Sequence, residues 1–204
     1  MLKPNFWKDV VPQDFVNDVK RYIDSEVELV KAHAGYSKSG EKRFRDCSNT
    51  GKIKIWNFHE ESNEIERTIS NIMYKLAVKA NNHFRFDLDH NFMILQLANF
   101  EEAKGGHFGW HADDHINFEQ KHRKLSFSVF IQPAEKGGEL LIQNGWEILP
   151  NNKEIYLPYL PSQKIEEDVG GVIAFPSYYN HCITPVEKGD RYSLVAWIFG
   201  PEWR

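Results

Sequence analysis

The sequence predicts a mainly β fold with flanking helices: short strands forming a β-sandwich or barrel, and two helices packed on one outer face. Three observations predict it. Two amphipathic stretches come first, apolar segments of strand length fill the rest of the chain, and glycine turns punctuate those segments. With 204 residues, 41% of them hydrophobic and 14% aromatic, the chain has material for a substantial core, and no repeat or low-complexity linker divides it. It reads as one domain over 1–204, with helical support and a basic loop in 1–90 and the β core in 91–204.

The first helix is announced by Pro12, which suits a first turn, and by Phe15, Val16, Val19, Tyr22 and Ile23 at the spacing of one buried face. The second runs from about Ser62 to Ala80, with Ile65, Ile69, Ile72, Met73 and Leu76 on one side. Strands are expected at Asn91 to Phe100, Arg123 to Gln132, Glu139 to Gln143, Lys164 to Val169, Val172 to Phe175, His181 to Val186 and Arg191 to Phe199. Turns are expected at Gly105-Gly106, Gly137-Gly138, Gly170-Gly171 and Lys188-Gly189-Asp190. Two segments fit the core poorly. Lys31 to Lys54 holds seven Lys or Arg against Glu41 and Asp46 and reads as a mobile basic loop. Asn144 to Gln163 carries Trp146, Tyr156 and Tyr159 among prolines and reads as a second irregular excursion, solvated or gripping substrate.

Composition excludes several classes. No apolar run approaches the roughly 18 residues of a membrane span, and a net charge of -4 offers no global attraction for nucleic acid. The start lacks the apolar region of a secretory signal, and two cysteines, Cys47 and Cys182, make no disulfide framework, so a cytoplasmic protein is expected.

Nine histidines stand out, five of them between His90 and His122. The densest stretch is Gly105-Gly-His107-Phe-Gly-Trp-His111-Ala-Asp113-Asp114-His115. In an extended strand His111 and Asp113 share a face and make half a metal site, although spacing does not choose them over His107, Asp114 or His115. Near the C-terminus a strand ends at Phe175-Pro176, a short connection delivers His181, and a last strand opens with Arg191 and Ser193 on one face. Two histidines and a carboxylate from separate strands form the facial triad that suits non-haem Fe(II), with coordination positions left open. A guanidinium beside a hydroxyl suits a small carboxylate.

In the order and spacing of His111-x-Asp113, Arg123-Lys-Leu-Ser126, Gly137-Gly-Glu-Leu140, Phe175-Pro176, and His181 with Pro185-Val186, Gly189, Arg191 and Trp197, the chain from about Asn91 to Trp197 resembles the Fe(II)- and 2-oxoglutarate-dependent oxygenases, in their prolyl-4-hydroxylase-like branch. The resemblance implies a double-stranded β-helix, or jelly roll, braced by N-terminal helices. It implies that His111, Asp113 and His181 bind Fe(2+), and that Arg191, helped by Ser193, binds the distal carboxylate of 2-oxoglutarate. With O2, such an enzyme oxidatively decarboxylates 2-oxoglutarate to succinate and CO2 and hydroxylates a C–H bond.

Relatives often carry cosubstrate-binding tyrosines in the strands before and after the His-x-Asp motif; the nearest positions here are Phe100, Phe108 and Phe130, rings that shape a pocket without donating. Gln96 and Asn99 are then further candidates, and Cys182, next to His181 on a strand, should point away. Phe108, Trp110, Phe130 and Trp197 are candidates for a dry pocket wall, and His107 and His115 for a polar rim. The branch implies a prolyl residue in a peptide or protein as substrate, with a free amino acid or other small molecule as the alternative. Nucleic-acid repair relatives carry a second arginine six residues after the first; Trp197 holds that position, which disfavours a nucleobase. The reading from another class is a non-catalytic, cupin-like metal- or ligand-binding barrel, which leaves Arg191 and Ser193 without a purpose.

Overall fold

The computed structural model describes residues 3–25, 48–49, 52–114, 116, 120–143 and 162–203. Its elements are β1 (Asn5–Trp7), α1 (Gln13–Ser25), β2 (Ser48–Asn49), β3 (Lys52–Asn57), α2 (Glu64–Phe84), β4 (Asp89–Phe100), a 3-10 turn at Glu102–Lys104, β5 (His107–His111), β6 (His122–Gln132), β7 (Lys136–Gly137), β8 (Leu140–Gln143), β9 (Ser162–Lys164), β10 (Val172–Pro176), β11 (Asn180–Ile183), β12 (Val186–Lys188) and β13 (Arg191–Gly200). Most of the basic segment, and Trp146, Tyr156 and Tyr159 of the second excursion, lie outside the described residues.

Two antiparallel sheets face each other, one in the order β1-β10-β6-β13-β4-β3 and the other β2-β5-β11-β8-β9. This is the double-stranded β-helix that the resemblance implies. Alternation along the strands of the larger sheet divides its residues between two layers. Tyr192, Leu194, Ala196 and Ile198 of β13 pack with Val16, Val19 and Ile23 of α1 and with Ile69, Met73 and Leu76 of α2. The alternate positions, Arg191, Ser193 and Trp197, turn toward the smaller sheet, where Phe130, Ile173 and Phe175 meet Leu140 and Ile142. The site lies in that second layer.

Strand formation extends beyond the sequence expectation. From the first 90 residues, β1 pairs with β10 and β3 pairs with β4, so part of the supposed basic loop, Lys52 to Lys54, is strand. The expected strand at Lys164 to Val169 ends at Lys164, and Gly171 N–H, bonded to Asp168 O at 2.8 Å, turns the chain back further on. The expected strand at His181 to Val186 divides at Pro185, which has no N–H to donate. At that break Pro185 O lies 2.1 Å from where a Cβ on Gly137 would sit, and Gly137 has φ +71°, so both space and backbone conformation require glycine.

Helix α2 runs to Phe84 rather than Ala80. Phe84 is buried, and Asn81 closes the turn, accepting from Phe86 N at 2.8 Å and donating to Phe86 O at 2.9 Å. Among the described residues no helix is long and apolar enough to cross a membrane.

A buried carboxylate ties the helices to β3. Glu66, 0% exposed, accepts from Tyr22 Oη at 2.7 Å and from both N–H and Oγ of Ser62 at 2.7 Å, with Lys54 Nζ at 3.4 Å. Burial alone would raise its pKa; the bonds from Tyr22 and Ser62 and the Lys54 charge outweigh that and hold it below the ordinary carboxylate value. Glu66→Gln should therefore cost about 1.5–3 kcal/mol at neutral pH, the worth of hydrogen bonds to a charged group. Because the folded pKa is the lower one, this contribution is complete above the unfolded value and fades as pH falls through the folded value. Urea unfolding at about pH 7 and about pH 3 should show the gap between variant and wild type narrowing at the lower pH.

Candidate metal centre

His111 closes β5 and His181 lies on β11 as its direct partner across the ladder. One step further along, Ile183 pairs with Phe108, so β5 carries an extra residue between Phe108 and His111. That bulge, at Gly109 and Trp110, turns the end of β5. The sequence expectation that one strand carries both His111 and Asp113 needs correcting: β5 stops at His111. Asp113 is fixed beyond the strand end by its N–H, which donates to Ser177 O at 2.8 Å, while Ser177 N–H donates to Lys124 O at 3.0 Å.

The three side chains converge. His111 Nε2 is 3.5 Å from Asp113 Oδ1, His181 Nε2 is 3.5 Å from Asp113 Oδ2, and the two imidazole centroids are 4.2 Å apart. One donor atom from each lies within 4.8 Å of the others. Both Nδ1 atoms are engaged, His111 with Gly109 O at 2.8 Å and His181 with Tyr179 O at 3.0 Å. A carbonyl oxygen only accepts, so Nδ1 carries the proton and Nε2 presents its lone pair to the centre. Asp113 Oδ2 accepts from Ser126 Oγ at 2.8 Å, and Ser126 Oγ lies 2.9 Å from Ser177 Oγ. Three electron-pair donors gathered this closely repel one another until a cation sits among them. Two imidazoles and one carboxylate, with no fourth protein donor grouped with them among the described residues, fit a non-haem Fe(II) ion.

Asp113 and His181 are both pushed toward their unprotonated forms. Burial would raise the Asp113 pKa, but His181 and His111 beside it and the Arg123 charge win and hold it below the usual carboxylate range. Burial, followed by the neighbouring His111 ring, lowers His181 to about 4 against the opposing pull of Asp113.

Arg191 and Ser193 share the inward face of β13, each 1% exposed. The Phe100 ring centroid is 5.4 Å from the Arg191 guanidinium carbon, and Ser193 is the ladder partner of Ala98 and Phe130. The Phe108 ring stands 4.2 Å from the His111 ring, and Phe130 belongs to the inner core cluster, so all three phenylalanines border this layer. Gln96 is the ladder partner of Val195 on the same side. Asn99 is not: it partners Tyr192 on the helix-facing side, because alternation separates it from Phe100.

The rival donors stand apart. His107 Nδ1 bonds to Gly105 O at 2.9 Å, exposed Asp114 lies 3.6 Å from His122 Nδ1, and His115 lies outside the described residues. Cys182 is buried, absent from the cluster, and its thiol is pushed up to about 11 by burial. Sequence reasoning overlooked two features. Ser126, legible as part of a motif, holds Asp113, and Arg123, from the same motif, stacks on Trp197 with its guanidinium carbon 4.0 Å from the ring centroid. Arg123 Nε and Trp197 Nε1 are buried donors without a partner among the described residues.

Comparisons with known proteins bear on the family and the fold. A model of the 2OG-Fe(II) oxygenase superfamily matches residues 95–199. A PKHD-type hydroxylase of Synechococcus sp. (strain CC9605) is 38% identical over 107 residues, 52% of this chain and 42% of that protein. A PKHD-type hydroxylase of Alteromonas mediterranea is 37% identical over 76 residues, 36% of this chain and 27% of that protein. The chain thus spans less than half the length of these curated relatives. Among solved structures, a Pseudomonas putida prolyl-4-hydroxylase superposes with a TM-score of 0.68 at 17% identity, covering 98% of this chain and 93% of that one. A Trichoplax adhaerens prolyl hydroxylase, solved with a hypoxia-inducible-factor peptide fragment, superposes with a TM-score of 0.67 at 16% identity, covering 98% and 84%. At such identities the likeness is one of fold. With the family model covering half of the sequence and its span enclosing both sides of the His-Asp-His cluster, this chain belongs to the 2OG-Fe(II) oxygenase superfamily.

Proposed function

We propose that the protein is an Fe(II)- and 2-oxoglutarate-dependent hydroxylase whose substrate is a prolyl residue in a peptide or protein. His111, Asp113 and His181 hold the metal; Arg191 and Ser193 hold the distal carboxylate of 2-oxoglutarate. The observation that carries this reading is the convergence of two Nε2 lone pairs and one carboxylate on a single point, in the same layer as a buried arginine and serine. Bound iron supplies the oxidative chemistry, in which 2-oxoglutarate and O2 give succinate, CO2 and a hydroxylated C–H. The chain's own part is position and dryness. Phe175 stands with its centroid 4.9 Å from the His181 ring, and Phe108 flanks His111. Arg123, stacked on Trp197, adds its positive charge beside Asp113. The prolyl substrate is supported by the prolyl hydroxylases among the structural neighbours. The free, buried Cys182 supports action in a reducing cytoplasm.

Adding 2-oxoglutarate to the Fe(II) protein without oxygen should produce a visible metal-to-ligand charge-transfer band, and its absence from folded, metal-loaded protein overturns the assignment. With oxygen, proline-containing peptides should gain the mass of one oxygen atom. Gain on free amino acids alone would transfer the substrate to the small-molecule class.

A further inference from the structure

Arg191 already has a partner. Its Nε donates to Glu167 Oε2 at 3.2 Å and its Nη2 to Glu167 Oε1 at 3.3 Å. Glu167 lies between β9 and β10, its side chain 9% exposed, and Oε1 also accepts the N–H of Leu140 at 2.9 Å. It is tied to the backbone at the start of β8. A guanidinium has five N–H groups in a planar fork. Glu167 uses the side of that fork, and among the described residues the outer end, Nη1 and the second N–H of Nη2, donates to no protein group.

We propose that Glu167 is the resident counter-ion of Arg191, and that it shares the guanidinium with the distal carboxylate of the 2-oxo acid and thereby holds cosubstrate affinity down. The inference rests on the proposed function. A fully buried arginine without a counter-charge carries a heavy desolvation cost, which Glu167 removes while the pocket lacks cosubstrate. The pair is then neutral overall. A dicarboxylate that docks on the outer end brings a second negative charge to one cation, so the two carboxylates oppose each other in a poorly screened layer. Glu167 also lines a cavity of ≈ 210 Å³ with Glu139, Lys164 and Ile165, where water can solvate it as Arg191 turns to its second partner.

The test separates the distal carboxylate from the chelating end. Dissociation constants of 2-oxoglutarate and of pyruvate, which lacks the distal carboxylate, are measured on anaerobic Fe(II) protein by the charge-transfer band and on the Mn(II) protein by calorimetry. Glu167→Gln keeps the shape and an acceptor for Leu140 N–H while removing the charge. It should bind 2-oxoglutarate roughly tenfold more tightly, as expected for removing a like charge a few ångströms away; pyruvate affinity should be unchanged and the metal-free protein should melt lower. Equal or weaker 2-oxoglutarate binding overturns the proposal, as does a matching shift for pyruvate. Should Glu167→Gln not fold, Glu167→Ala removes the same charge and carries the same expectation. Wild-type protein that binds neither acid overturns the proposed function itself. Wild type that binds 2-oxoglutarate, beside a variant that binds it no better, overturns only the role of Glu167.

Discussion

Asp113→Ala protein should fold, melt somewhat below the metal-free wild type, and show no stabilisation by Fe(II). The carboxylate lies 3.5 Å from the lone-pair nitrogen of each histidine, so in the metal-free protein it is a source of repulsion as well as a donor. Its removal relieves that repulsion and leaves Ser126 Oγ with Ser177 Oγ as a partner at 2.9 Å, but it also strips the buried Arg123 guanidinium of the carboxylate charge beside it. In the wild type, metal at about a hundred times its Kd should stabilise the fold by ~2.7 kcal/mol. For a chain of this size that is about 5–10 °C in Tm. In Asp113→Ala the shift should vanish together with 2-oxoglutarate turnover. Ser126→Ala is the milder companion: it leaves three donors but frees Asp113 to rotate, and should weaken Fe(II) binding by about 10–100-fold, with turnover recovered at saturating metal. Thermal melts with graded Fe(II) under nitrogen check both. An Asp113→Ala protein that keeps the full shift would remove this residue from the metal site.

Residue types and order carried the donor set in the sequence; local geometry did not. Spacing left His107, Asp114 and His115 as rivals, and the choice of His111, Asp113 and His181 came from the resemblance in motif order. The reason Asp113 reaches the centre was hidden, since it depends on a backbone bond to Ser177, 64 positions away and on another element. Strand alternation put Asp113 on the right side for a reason that does not operate, because β5 has already ended. The inward face of β13 was legible from period two alone, and the same alternation excludes Asn99. Strand β3 was obscured by its lysines: Lys52-Ile53-Lys54-Ile55-Trp56 alternates as a strand should, but its charge made it read as part of a basic loop. Glu167 had no local signal at all. Glu166, Glu167 and Asp168 look alike in sequence, and the glycine turn at Gly170-Gly171 together with Leu140 N–H decides which carboxylate turns inward.

The Arg191–Glu167 pair gives the second large effect, because stability and binding can be pulled apart on it. Arg191→Met should lose both. Removing one partner of a buried ion pair leaves the other charge uncompensated, at a cost of about 3–5 kcal/mol. Losing the guanidinium should also weaken 2-oxoglutarate binding by about 2–5 kcal/mol, a thirtyfold to several-thousandfold rise in Kd. Adding Glu167→Gln to Arg191→Met removes the stranded carboxylate, and the double variant should regain most of the lost stability while its cosubstrate affinity stays well below that of the wild type. Urea unfolding of the four proteins gives one cycle and 2-oxoglutarate titration of their Mn(II) forms gives the other. Strong positive coupling is expected in the stability cycle, since each side chain is the other's counter-ion. In the binding cycle Glu167→Gln should tighten 2-oxoglutarate with Arg191 present or absent, because the two carboxylates repel each other directly. If Arg191→Met bound 2-oxoglutarate as tightly as the wild type, the distal carboxylate would have to be held elsewhere on the inner layer, and the buried pair would be structural alone.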